Sequence, residues 1–159
     1  MGQEIGGQLS GAIPSQIPSS KLELSADMIN LTSGLAYKVT LDTVPAAYTD
    51  GVEDTVNNRI VIPKDGFYHI VGNVTFYNII AAAIYESWIT INAGVINTSR
   101  NYQHASVGGA GIDITCWTIL PNHFLGVGDF VYLYCQQNSG VNTVDVNRVM
   151  TYLGVQRVR

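Results

Sequence analysis

Phe67-Tyr68-His69-Ile70-Val71-Gly72-Asn73-Val74-Thr75-Phe76 sets Tyr68, Ile70, Gly72, Val74 and Phe76 on one side of an extended chain and His69, Val71, Asn73 and Thr75 on the other. A period of two with one apolar face marks a strand that covers a core, because successive side chains of a strand point to opposite sides of its sheet. The alternation recurs downstream. Ile112, Ile114, Cys116, Thr118 and Leu120 share one face, Val131, Leu133 and Cys135 another, and Val149, Thr151, Leu153 and Val155 a further one. Gly and Asn/Asp clusters punctuate the chain, and no amphipathic stretch of helical period and useful length interrupts these segments. Strands are expected at 36–42, 59–63, 67–78, 84–92, 94–97, 112–120, 130–136 and 148–158. About eight strands is the jelly-roll number, and the apolar faces are expected to meet between two packed sheets. The fold expected is therefore all-β, an antiparallel jelly-roll β-sandwich.

The opposite faces of the same strands are unusual. Water-facing positions of a strand ordinarily carry charge, yet Tyr132 and Tyr134 point outward from one strand, Trp117 and Ile119 from another, and Met150 and Tyr152 from a third. Single exposed aromatics are ordinary, whereas a recurring outward row implies a second buried surface. Copies of the same chain are the simplest cover, since closed rotational symmetry is the usual form of homo-oligomer. Trp117, Tyr132, Tyr134 and Tyr152 are thus the candidate subunit-contact residues.

Composition points the same way. Only 13% of the 159 residues are charged and 47% are apolar, which excludes wholesale disorder and fits large permanent interfaces. One domain with a core that needs no disulfide or metal staple is expected at this length. A net charge of −4 argues against a nucleic-acid partner, because neutralising phosphates takes clustered Lys and Arg. The longest apolar run, 79–85, ends at Glu86, far short of the roughly 20 residues that a membrane-crossing helix requires, so no membrane partner is expected. Met1 to Gly7 lacks the basic and apolar regions of a secretory signal, and Gly6 stands where a myristoylation pattern wants Ser or Thr, so no export or lipidation is expected. Cys116 and Cys135 sit in apolar alternating segments without metal or redox spacing, and are expected as buried free thiols.

Residues 1–30 read as an extended arm ahead of a jelly roll at 31–159. Gly, Ser and Gln dominate its beginning, and Ile13-Pro14-Ser15 is echoed by Ile17-Pro18-Ser19; an Ile before Pro is pushed toward extended geometry. Ile5, Leu9, Ile13, Ile17 and Leu22 are spaced apolar anchors that a segment so rich in Gly, Ser and Pro has no means of burying against itself. A short turn is expected at 25–28.

The stretch Asp50-Gly51-Val52-Glu53-Asp54 through Arg59-Ile60-Val61-Ile62-Pro63-Lys64-Asp65-Gly66-Phe67-Tyr68 resembles the signature of complement globular heads and the wider tumour necrosis factor (TNF)-like jelly rolls. Leu125-Gly126-Val127-Gly128-Asp129-Phe130-Val131-Tyr132-Leu133 is similar to that family's entry to a late strand, and Val149-Met150-Thr151-Tyr152-Leu153-Gly154-Val155 to its closing strand. The resemblance covers about residues 35–159 and implies a homotrimer. A trimeric head of this kind behind a short Gly/Ile/Pro arm, and without an export signal, looks most like a bacteriophage virion structural protein. The resemblance then implies a capsid decoration or head-fibre protein, assembled in the host cytoplasm and held by its arm on the major capsid protein or another virion protein. The alternatives are the receptor-binding tip of a tail fibre and a secreted complement-like ligand-binding domain.

Catalytic chemistry has no local motif here. His69, His104 and His123 are dispersed, with His69 on the outer face of its strand, His104 in a Gly/Ser/Asn loop spanning 99–111 and His123 in a turn after Pro121; nothing resembles a G-x-S-x-G elbow. No enzyme activity and no cofactor are expected. Asp50, Glu53, Asp54 and Asp65 supply carboxylates without the regular D-x-D-x-D-G spacing of a calcium loop, so no metal site is assigned, and Asp129 is expected to cap a turn.

Overall fold

The computed structural model describes residues 19–45, 52–92 and 99–158. Twelve strands and no helix occur among them: β1 (Ser19–Glu23), β2 (Met28–Leu31), β3 (Ala36–Lys38), β4 (Glu53–Asp54), β5 (Arg59–Val61), β6 (Gly66–Tyr77), β7 (Ile84–Ile91), β8 (Ser99–His104), β9 (Asp113–Leu125), β10 (Phe130–Asn138), β11 (Val144–Val146) and β12 (Tyr152–Arg157). All pairings are antiparallel. The first sheet runs β1-β12-β6-β11-β2 with β9 on the other side of β6; the second runs β4-β5-β10-β7-β8 with β3 also on β10. This two-layer, all-β jelly roll is the architecture the alternation called for.

The core is the inner faces of the long strands. Tyr68, Ile70, Val74 and Phe76 of β6, Cys116 of β9, Val131, Leu133 and Cys135 of β10, and Leu153 and Val155 of β12 are all buried. Gly72 lies where the sheets pinch: a Cβ there would stand 2.5 Å from Leu133 Cδ1 on the facing sheet. Polar groups inside are paired, as burial demands, with the Ser87 and Thr118 hydroxyls 2.6 Å apart. The corners are stitched by side chains: Ser99 Oγ donates to Ile119 O (2.8 Å) where β8 meets β9, and Lys21 N donates to Glu53 Oε1 (3.3 Å) where β1 meets β4.

Asp129 caps its turn as expected, accepting from Gly126 N at 2.8 Å. Both thiols are free and buried. Desolvation pushes the Cys116 thiol up to about 12 and raises that of Cys135 as well. Because the thiolate is the nucleophile, neither cysteine should react with a thiol reagent at pH 8 in the native protein. Both should react once the chain is unfolded in guanidinium, and titration with Ellman's reagent in the two states checks it.

Several boundaries differ from expectation. Residues 19–31 are not arm but two strands of the first sheet: β1 pairs β12 from Ser19↔Gln156 to Glu23↔Tyr152, and β2 pairs β11. Leu22 is correspondingly fully buried in the chain's own core, so it is no anchor for an external partner. Apolar spacing alone did not separate it from Ile17, because a five-residue edge strand carries too few residues to show its alternation. At 25–28 the chain turns as Ser25 donates its N–H and hydroxyl to Asp42 (2.8 and 2.7 Å). The closing strand starts at Tyr152; Val149 is 77% exposed, held outside by Asn147 Oδ1 accepting its N–H. Ser99–His104 is strand β8 rather than loop, because β7 templates it along six paired residues. His123 lies within β9, which runs through Pro121-Asn122 by a register shift, with Asn122 in the left-handed region (φ 51°) that Asn tolerates. The expected strand at 94–97 and the anchors Ile5, Leu9, Ile13 and Ile17 lie outside the described residues.

Candidate functional site

The outward aromatics fall on two opposite faces of the sandwich rather than on one. Tyr132 and Tyr134 belong to β10 in the second sheet, Trp117 and Tyr152 to β9 and β12 in the first.

On the second sheet the aromatics are capped by cations of the same chain. Trp88 and Tyr134 face each other across β7 and β10 and stack at 5.7 Å, while Tyr132 sits edge-on between Tyr134 (6.3 Å) and Phe130 (5.5 Å). Arg59 lies over Phe130 at 4.5 Å, Lys38 over Tyr132 at 5.2 Å and Arg100 over Trp88 at 5.2 Å. Asp54 holds Arg59 (2.7 Å) and Glu86 holds Arg100. Hydrogen bonds from the Asn57 side chain and then from Arg59 keep the Asp54 carboxyl below its ordinary range. Each cation over a ring contributes about 0.5–1 kcal/mol at such a surface. The row therefore needs no second copy to leave water: Tyr132 and Trp88 are each only 8% exposed. This is a correction to reading Tyr132 as an open contact residue, and Lys38, Arg59 and Arg100 are what sequence reasoning missed. Their strand alternation places them outward, but only the pairing of β3, β5 and β8 with their neighbours brings them over the rings.

The first sheet is different. Its register aligns two four-strand rows across the outer face: Lys21, Gly154, Val71 and Ile119 in one, Glu23, Tyr152, Asn73 and Trp117 in the next. Trp117 and Tyr152 meet edge to face at 6.1 Å above Asn73, which they bury, and Lys21 reaches over the Tyr152 ring at 4.6 Å. Asn73 Nδ2 donates to Met150 O at 2.6 Å beneath them. Trp117 is nevertheless 44% and Ile119 53% exposed, with Met150 open at the margin. Beside these rows a groove of about 470 Å³ opens over Gly154, between Lys21, Tyr152, His69 and Gln156.

Neither face is arranged for catalysis. Among the described residues no histidine is hydrogen-bonded to a serine, cysteine or carboxylate, and no three His, Cys, Asp or Glu side chains converge as metal ligands. Asp54 is committed to Asn57 and Arg59, and Asp65 accepts from Val127 N at 2.6 Å; Asp50 lies outside the described residues.

Solved structures share this architecture at very low sequence identity. Eiger TNF from S. frugiperda superposes with a TM-score of 0.66 at 10% identity, covering 91% of this chain and 94% of its own. The chain has the TNF-like jelly-roll fold. Murine APRIL at pH 5.0 matches with a TM-score of 0.62 at 11% identity over 90% of this chain and all of its own. The globular domain of the zebrafish complement 1qA protein matches at 0.57 and 9%, over 89% of this chain and 98% of its own. No family model matches the sequence, and no curated protein matches it either. At such identities the likeness carries the fold, and function has to be argued from the site.

Proposed function

We propose that this chain is a non-enzymatic TNF-like module that assembles as a homotrimer through the outer face of β9, β6, β12 and β1. One observation carries the reading: Trp117 and Ile119 remain about half exposed on a face with few charges, beside Val71 and Tyr152, while the aromatics of the opposite face are already covered. An apolar row of this kind on a soluble domain marks an interface. Threefold assembly follows the family that the landmark motifs at 50–68 and 125–133 resemble. Sedimentation equilibrium at micromolar concentration is expected to give three times the 17.2 kDa of one chain. A folded monomer there sinks the reading.

Within it, the trimer is placed on a virion as a decoration or head-fibre protein, with Ile5, Leu9, Ile13 and Ile17 as the anchor to a capsid or other virion protein. What supports this finer step is the character of the N-terminal sequence and the course of β1. The chain enters β1 beside Gln156, near the end of β12, so the anchoring residues and the C-terminus leave from one end of the sandwich.

A further inference from the structure

We propose that the groove over Gly154 is a socket filled by an apolar side chain of a second copy of this chain, so that the absence of a side chain at Gly154 permits assembly. The inference rests on the self-association reading above and adds the residue on which it turns.

Glycine inside a strand has a cost, since it loses more backbone entropy on folding than any other residue and offers no side chain to pack. A reason within the chain is evident for Gly72, whose Cβ would collide with Leu133. No such reason exists for Gly154. Its φ is outside the left-handed region, and a Cβ there would meet nothing closer than Ser20 O and Val71 O, both at 3.9 Å in ordinary contact. The strand would accept a side chain, yet the position is kept bare in the middle of the outer face. Strand glycines without an internal cause mark places where another chain or ligand comes close.

The surroundings select the occupant. The groove is continuous with the row Val71 and Ile119 and with the Tyr152 and Trp117 rings, so whatever covers the exposed apolar face also covers the socket. Lys21 and Glu23 at its rim neutralise each other at 2.6 Å. A self-neutral rim suits identical surfaces, because any uncompensated charge would be repeated on every copy around the symmetry axis and would repel. A strongly charged partner would instead find no complementary field here.

Gly154→Leu tests the socket. In sedimentation the variant is expected to run as a monomer at concentrations where the unmodified chain is trimeric, while keeping the β-sheet circular dichroism spectrum; Gly154→Ala should weaken assembly less. A Leu variant that stays trimeric overturns the socket and leaves self-association standing, whereas an unmodified chain that sediments as a monomer overturns both. If the Leu variant does not fold, labelling of the unmodified chain decides. Acetylation of Lys21 with an amine-reactive ester, measured relative to exposed Lys64, should be suppressed several-fold above the assembly concentration and recover on dilution. An unchanged ratio overturns the proposal.

Discussion

Phe76→Ala is expected to lower the stability of the folded chain by about 3–5 kcal/mol, the usual cost of truncating a buried aromatic. Phe76 has no exposed surface and its ring packs at 5.1 Å on Tyr85, joining β6 of one sheet to β7 of the other. The site has little means of collapsing around the lost ring. Tyr85 is pinned by its hydroxyl, which accepts from Ile80 N at 2.7 Å, so it cannot swing into the space without breaking that bond. A loss of this size is a large share of the ~5–15 kcal/mol that an ordinary domain has in total. Urea titration followed by circular dichroism measures it, as a fall in midpoint with an unchanged slope. A loss below about 1 kcal/mol would mean that the two sheets are held together elsewhere.

Truncation at two points separates the anchor from the fold, and the second cut should have the larger effect. Removing residues 1–18 leaves every strand described here, so the trimeric jelly roll should persist while attachment to particles is lost. Removing residues 1–24 also deletes β1, which strips five backbone pairings from β12 and takes Leu22 out of the core. The Leu22 side chain by itself is worth about 2–5 kcal/mol on the scale of buried leucines. It also exposes β12 as a new sheet edge, a template for aggregation. Co-sedimentation with particles lacking the protein reads the first effect and thermal unfolding the second. Undiminished binding by the shorter truncation would move attachment to the jelly roll itself, and a stable product of the longer one would show β1 to be dispensable.

Within β6, β9, β10 and β12 the sequence determined the fold by itself. Their inner faces were legible because a strand of eight or more residues repeats its alternation often enough to separate a buried side from an open one, and the turn at 126–129 was legible from its glycines and Asp129. The short strands were not. β1, β3 and β8 are edges or near-edges, stabilised by the neighbour they pair with rather than by any pattern of their own, which is why Leu22 read as an anchor and 99–104 as loop. The outward aromatics were visible in sequence, but what lies above each was decided only by the tertiary structure. Lys38, Arg59 and Arg100 reach the rings from strands far away in the chain and close one face, while Gly154 and Val71, brought side by side by the pairing of β12 with β6, leave the other open. Alternation tells which side of a sheet a residue faces; what covers that side is set by which strands lie beside it, and strand order is a long-range property that local sequence does not encode.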